Sequence, residues 1–383
     1  MPSLPTPVAT AATHSQRLQQ HIHDDIAAHG GWISFARYME LALYTPGLGY
    51  YAAGATKFGP AGDFTTAPER SHLFGRTLAR QVAQVLAETG GDVLEAGAGS
   101  GKLACDVLLE LEKRGVLPTH YLILELSGEL QARQHATLAA QAPHFLERVQ
   151  WLEQLPPSFT GVVLGNEVLD AMPIHLVTRE NGTLYERGVC ITHEKLDWQD
   201  RPLADGALQQ AAAALDLPAG YLTEINLAAP AFVASLAERM ARGVMFFIDY
   251  GFPRTEYYHP QRSAGTLMCH YRHHAHGDPF FWPGLQDVTA HVDFSAIAHA
   301  GVEQRLDVLG FTTQANFLIN CGITDLLAEI SPEDTARYLP LANQAQFLLS
   351  PAEMGELFKV IALGKDIDKP LLGFARGDQR HRL

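Results

Sequence analysis

The chain has four cysteines in 383 residues, Cys105, Cys190, Cys269 and Cys321, and no Cys-x-x-Cys pair. Thiols scattered this way provide neither a zinc ligand set nor a disulfide framework, and reduced thiols in a cytoplasmic protein are the simplest expectation. Basic residues are also few: 28 Lys and Arg stand against 42 Asp and Glu, a formal net charge of −14, with no dense basic tract. A phosphate backbone calls for clustered cations, so nucleic acid is not an expected partner. No apolar run reaches the roughly 20 residues that cross a bilayer, so no membrane insertion is expected. The first dozen residues contain no basic stretch followed by an apolar one. They give no secretory signal and read as a disordered tail. Internal repeats are lacking too. With 47% hydrophobic residues, what remains is a globular chain able to form one large domain or two modest ones. An acidic surface suits a basic protein partner, but it serves solubility equally well. The oligomeric state stays open.

The most informative stretch is 93–102, Val-Leu-Glu-Ala-Gly-Ala-Gly-Ser-Gly-Lys. It reads as a buried strand, a tight glycine turn and a helix start, with Leu103, Val107, Leu108 and Leu111 spaced for one helical face. Glycines let the backbone turn sharply and let a ligand come close. A P-loop is excluded: its first glycine would fall at Ala96, and Leu103 stands where the magnesium-binding hydroxyl belongs. A dinucleotide fingerprint, which would make the protein a dehydrogenase, fits poorly. Its third glycine arrives one residue early, at Gly101, and Lys102 fills the expected place. The remaining form, Glu95-x-Gly97-x-Gly99-x-Gly101, resembles motif I of S-adenosylmethionine-dependent methyltransferases. Glu125 ends the next apolar run, 121–124, and matches the acid that holds the ribose hydroxyls in that family. A carboxylate accepts from two hydroxyls at once, which makes the match chemically sensible.

The rest of the chain reads as an α/β protein. Helices are expected from about His14 to His29, over 34–43 with Ser34 as cap, and from about Arg70 to Thr89. Further core strands are expected at 149–151, 161–165 and 244–251, with closing strands at 308–315 and 358–363. Asn181-Gly182 is a hairpin turn between alternating runs, so a small antiparallel insertion is expected at about 174–220. The charged end after Lys365 is expected to fray. The expected domains are a tail and first helix over 1–30, a helical and loop segment over 31–90 covering the site, a core over 91–265, and a substrate-side region over 266–383.

Five motifs occur in one order: "YMELALYTPGLGYY", "GDFTTAPE", "LEAGAGSGKL", "GNEVLDAMP" and "DVTAHVDF". Together they resemble the MidA-type methyltransferases, the family that includes the mitochondrial complex I assembly arginine methyltransferase, from about Trp32 to about Leu363. The resemblance implies a Rossmann-like class I methyltransferase sheet and S-adenosyl-L-methionine as cofactor. It also implies methyl transfer to an arginine of a protein substrate, possibly a respiratory complex subunit.

In an open parallel sheet, ligands sit beyond the carboxyl ends of the strands. The resemblance implies Glu95, Gly97, Gly99, Gly101 and Glu125 as cofactor residues, and Asn166 joins them at the end of its strand. A guanidinium acceptor arrives protonated, and carboxylates can grip it, orient it and take its proton. Glu167 and Asp170 are the first candidates, with Asn166 as a dipolar partner and Asp63 from the amino-terminal loop. Glu69, Glu224 and Asp249 rank second. The run 269–276, Cys-His-Tyr-Arg-His-His-Ala-His, fits no recognised zinc spacing, and no metal is expected there. Two alternatives stand beside the arginine enzyme: a small-molecule methyltransferase, and an assembly chaperone that binds the cofactor without essential catalysis.

Overall fold

The computed structural model describes residues 4–53 and 66–383. These divide into two units, one drawn from 66–169, 230–253 and 293–383, the other from 4–53, 170–229 and 254–292. The expected boundaries fall differently, because each unit is assembled from three separate stretches of chain. The helix His72–Thr89, for example, belongs to the first unit and not to an amino-terminal segment.

The first unit is built on strands β1 (Asp92–Ala96), β2 (Tyr121–Leu124), β3 (Val149–Leu152), β4 (Phe159–Asn166), β5 (Met240–Phe252), β6 (Asp307–Thr313) and β7 (Phe358–Lys365). Their order across the sheet is β3-β2-β1-β4-β5-β7-β6. Neighbours from β3 to β5 run parallel, while β7 lies antiparallel to both β5 and β6. A doubly wound dinucleotide sheet has the order 3-2-1-4-5-6. The antiparallel β7 wedged between β5 and β6 sets this sheet apart from it.

The central parallel strands β1, β2 and β4 are buried on both faces over most of their length, as a covered parallel sheet requires. Val93, Tyr121, Ile123, Val162, Leu164, Val244 and Phe246 share one core with the helices His72–Thr89 and Lys102–Lys113. Ser71 caps the first of these helices by accepting from Leu73 N at 3.1 Å. The end after Lys365 does not fray. Leu371 and Phe374 are buried, Gly373 N donates to Oε1 of Gln81 at 2.8 Å, and Gln379 N donates to the Phe311 carbonyl at 2.6 Å. Two apolar anchors outweigh the charge of that segment.

The second unit holds a five-stranded antiparallel sheet. Strand Thr183–Thr192 pairs with Lys195–Pro202 along its length, with His175–Glu180 through its first half and with Trp32–Ser34 through its second. Leu222–Ile225 extends the sheet beyond His175–Glu180. The Asn181-Gly182 turn is the expected hairpin, with φ of 49° and 82°, the two positive values a type I′ turn needs. The expected insertion is thus completed by an amino-terminal strand, a long-range pairing that local pattern does not reveal. The first helix starts at Ala9, where a tail was expected. Its buried stripe is Ser15, Leu18, Ile22 and Ile26, and Ser15 Oγ donates to the Pro283 carbonyl at 2.8 Å.

The histidine-rich run is itself a hairpin, Met268–Tyr271 against His274–His276, turned by Arg272 and His273 at φ 47° and 62°. Cys269 and Tyr271 point into the core while His273 and His274 are exposed. The register sets His276 opposite Cys269 and His274 opposite Tyr271, and leaves His270 on the other face. Among the described residues, no group of three or more His, Cys, Asp or Glu side chains stands ready to hold a metal ion.

Near the amino ends of the parallel strands a glycine is required by space as well as by conformation. Gly161 of β4 has φ 131°, and a Cβ there would lie 2.0 Å from the carbonyl oxygen of its β1 partner Asp92. Neither backbone can yield without breaking the ladder. Gly161→Ala is expected to destabilise the protein by about 2–4 kcal/mol in denaturant titration; an unchanged midpoint would contradict this packing.

Candidate cofactor and methyl-transfer site

The carboxyl ends of β1, β2 and β4 lie side by side, and the expected cofactor residues sit on them. After β1 the chain turns through Gly97, Gly99 and Gly101, at φ 64°, 54° and 83°. Gly97 N donates to the Leu124 carbonyl at 3.2 Å, which ties this turn to the end of β2. A Cβ on Gly101 would lie 3.0 Å from Cα of Gln134, so the helix after β2 packs directly on the turn. Lys102 opens the next helix and donates to Asp106 at 3.0 Å, one helical turn away.

Glu125 follows β2 and is 8% exposed. Its Oε1 accepts from Ser127 N at 2.9 Å and its Oε2 from Gln134 Nε2 at 3.0 Å. The same Gln134 nitrogen donates to the Gly99 carbonyl at 3.1 Å, and Gln134 Oε1 accepts from the Trp151 indole at 2.9 Å. One buried amide thus joins the acid, the glycine turn and β3. These bonds fix the carboxylate plane. A carboxylate accepts at about four lone-pair sites, a capacity suited to vicinal hydroxyls. The next residue, Leu126, is 78% exposed; a large apolar side chain held at the rim beside the acid suits the face of a base.

Glu95 behaves differently. It lies on the face of β1 that packs into the helical core and is 2% exposed. Tyr121 donates its hydroxyl to Oε2 at 2.7 Å. Burial pushes the Glu95 carboxyl up to about 7, with Tyr121 opposing the rise and Glu125 adding to it.

Beyond β4, the chain turns through Asn166, Glu167, Val168 and Leu169. Glu167 has φ 53°, unusual for a residue with a side chain. Its N–H donates to the Ile248 carbonyl at 2.9 Å. Asp249, 1% exposed, holds the turn from β5: Oδ2 accepts from Val168 N at 3.2 Å and Leu169 N at 3.0 Å, and Oδ1 from Tyr250 N at 3.0 Å. Asn166 Nδ2 donates to Oε1 of Glu167 at 3.1 Å, while Asn166 Oδ1 is buried with no hydrogen-bond partner among the described residues. Val168 packs on Gly97, where a Cβ would lie 3.2 Å from its Cγ2, so the turns after β1 and β4 touch.

The structure therefore brings Gly97, Gly99, Gly101, Glu125, Asn166 and Glu167 together in one unit. Asp170 falls in the other unit, where it is 5% exposed and its carbonyl accepts from Ala290 N at 3.1 Å. Asp63 lies outside the described residues. Of the second-ranked acids, Asp249 is engaged by backbone donors. Glu224 accepts from Thr266 N, Leu267 N, Thr266 Oγ1 and the Tyr257 hydroxyl; both support loops. Sequence reasoning missed Gln134. The signal was a polar residue on the inward stripe 130, 134, 138 of the helix Gly128–Gln141.

A sheet of this order, with a glycine turn after β1 and an acid after β2, defines a class I S-adenosylmethionine-dependent methyltransferase. The chain belongs to the family described as "Putative S-adenosyl-L-methionine-dependent methyltransferase", whose model matches residues 77–312. It is similar throughout to a Burkholderia thailandensis protein solved with S-adenosyl-homocysteine bound, with 55% identity, a TM-score of 0.97 and full coverage of both chains. Among curated proteins it is 30% identical to the Drosophila melanogaster "Protein arginine methyltransferase NDUFAF7 homolog, mitochondrial", over 90% of this chain and 86% of that one. The human "Protein arginine methyltransferase NDUFAF7, mitochondrial" is 28% identical, over 87% of this chain and 80% of that one. The cofactor is S-adenosyl-L-methionine. The residues at the strand ends fit it: an oriented acid for the ribose, an exposed Leu126 for the base, a buried Asn166 carbonyl for a donor and a glycine turn before a helix amino end.

The folded protein holds a proton on Glu95 between its ordinary value of 4.5 and about 7. Stability from this group is full below pH 4.5 and is lost as pH rises through 7, a change of about 3 kcal/mol at about 1.4 kcal/mol per pH unit. Denaturant titrations across pH 4.5–8 should show Glu95→Gln gaining on wild type over this window. Parallel curves for the two proteins would show that burial does not raise this carboxyl.

Proposed function

We propose that this enzyme transfers a methyl group to an arginine side chain of a protein, and that the protein is a subunit of a respiratory complex I-type assembly. The names of the curated relatives support the arginine; the complex follows from the motif resemblance. The carrying observation is Glu167, held at the end of β4 in a left-handed conformation that Asp249 and the Ile248 carbonyl impose.

The cofactor supplies an activated methyl on a sulfonium with a neutral leaving group. The protein's task is then to hold a nucleophile in line and exclude water. A guanidinium is protonated at neutral pH and presents planar N–H donors. Glu167 binds them, turns one nitrogen toward the methyl and receives the proton as that nitrogen is alkylated. The Asn166 amide orients Glu167 through the bond to Oε1.

Glu167→Gln keeps the shape and removes the charge. It is expected to bind S-adenosylhomocysteine as wild type does while lowering methyl transfer by roughly 10²- to 10⁴-fold. The assay is incubation of purified enzyme and labelled methyl donor with lysate from cells lacking the protein, read by mass spectrometry. Label on an arginine of a protein is expected. Label on a metabolite would replace this reading with a small-molecule enzyme. Full support of a partner's assembly by an inactive Glu167→Gln protein would replace it with a chaperone.

A further inference from the structure

Glu69 lies in the short helix Ala67–Arg70, before the helix that Ser71 caps. Its neighbours are fixed: Ala67 and Pro68 are buried, and the Arg70 guanidinium stacks 4.6 Å over the Phe347 ring. The half-buried Glu69 carboxylate accepts from the hydroxyl of Ser100, the residue between Gly99 and Gly101. A negative charge is thereby pinned to the glycine turn from outside the sheet.

The cofactor's methionyl part carries two opposite charges, a carboxylate and an ammonium. The turn and the amino end of the twelve-residue helix Lys102–Lys113 suit the carboxylate, because backbone N–H groups and the helix dipole favour an anion. They oppose a cation. The turn's own carbonyls are largely committed: Ala98 accepts from Gly101 N, Gly99 from Gln134 and Gly101 from Cys105 N. An ammonium brought into this field needs an anionic acceptor close by. Glu125 is oriented by Ser127 and Gln134. Glu69 is the carboxylate bonded directly to the turn among the described residues.

We propose that Glu69 receives the ammonium of the cofactor's methionyl group, with Ser100 as the positioning residue that holds its carboxylate at the glycine turn. The inference rests on the cofactor and not on the identity of the acceptor. Calorimetry of the full chain separates the parts, using S-adenosylhomocysteine, its analogue without the α-amino group, and 5′-methylthioadenosine, which lacks the whole amino-acid end. Glu69→Gln should weaken S-adenosylhomocysteine by roughly 10- to 100-fold, leaving the other two ligands within about twofold. Ser100→Ala should show the same selectivity with a smaller loss. An equal loss for all three ligands would make Glu69 a support of the turn only, and unchanged affinity for S-adenosylhomocysteine would remove it from the site; either result overturns the proposal. Thermal melts of both variants establish that a loss is not unfolding. Failure of the arginine reading would leave these affinities untouched.

Discussion

A single buried amide holds the cofactor end of this sheet together. Gln134 is fully enclosed and makes three hydrogen bonds that no apolar residue could replace, to Glu125, the Gly99 carbonyl and the Trp151 indole. A buried polar network of this kind is stabilising only when every member is satisfied. Its consequence is geometric. The acid, the glycine turn and the third strand cannot shift independently, so together they present a single rigid surface at the carboxyl end of the sheet. Gly101 lets the backbone of the helix that carries Gln134 press against the turn.

The second fixed point is Asp249. Buried on β5, it spends its acceptors on three N–H groups and thereby shapes the turn that presents Glu167. Holding a side-chain-bearing residue at positive φ costs of order 1 kcal/mol or more, and strain of this kind persists only where the surroundings impose it. Two acids with similar sequence credentials thus divide the work: Asp249 builds the support, and Glu167 stands on it. Burial distinguishes them, and a sequence does not show burial for a carboxylate at a strand end.

The same contrast explains how much could be read in advance. The position of the glycine turn, Glu125, Asn166 and Glu167 at strand ends was legible because such ends in a parallel sheet announce themselves as an apolar run followed by polar residues. The Asn181-Gly182 hairpin was legible because its turn chemistry is local. What escaped depended on distance. Trp32–Ser34 joins a sheet about 150 residues further along the chain, and the end after Lys365 is stitched down by Gln81 and Phe311. Asp170, three residues after Glu167, falls at the boundary between the two units.

We propose that Glu125, oriented by Gln134, takes the ribose of S-adenosyl-L-methionine at the end of β2. A crystal structure of this chain with S-adenosylhomocysteine tests it most directly. Both ribose hydroxyls are expected within about 3 Å of the Glu125 carboxylate, with Gln134 still bridging to Gly99. A nucleoside bound away from Glu125, or a Gln134 side chain turned out of that bridge, would contradict it.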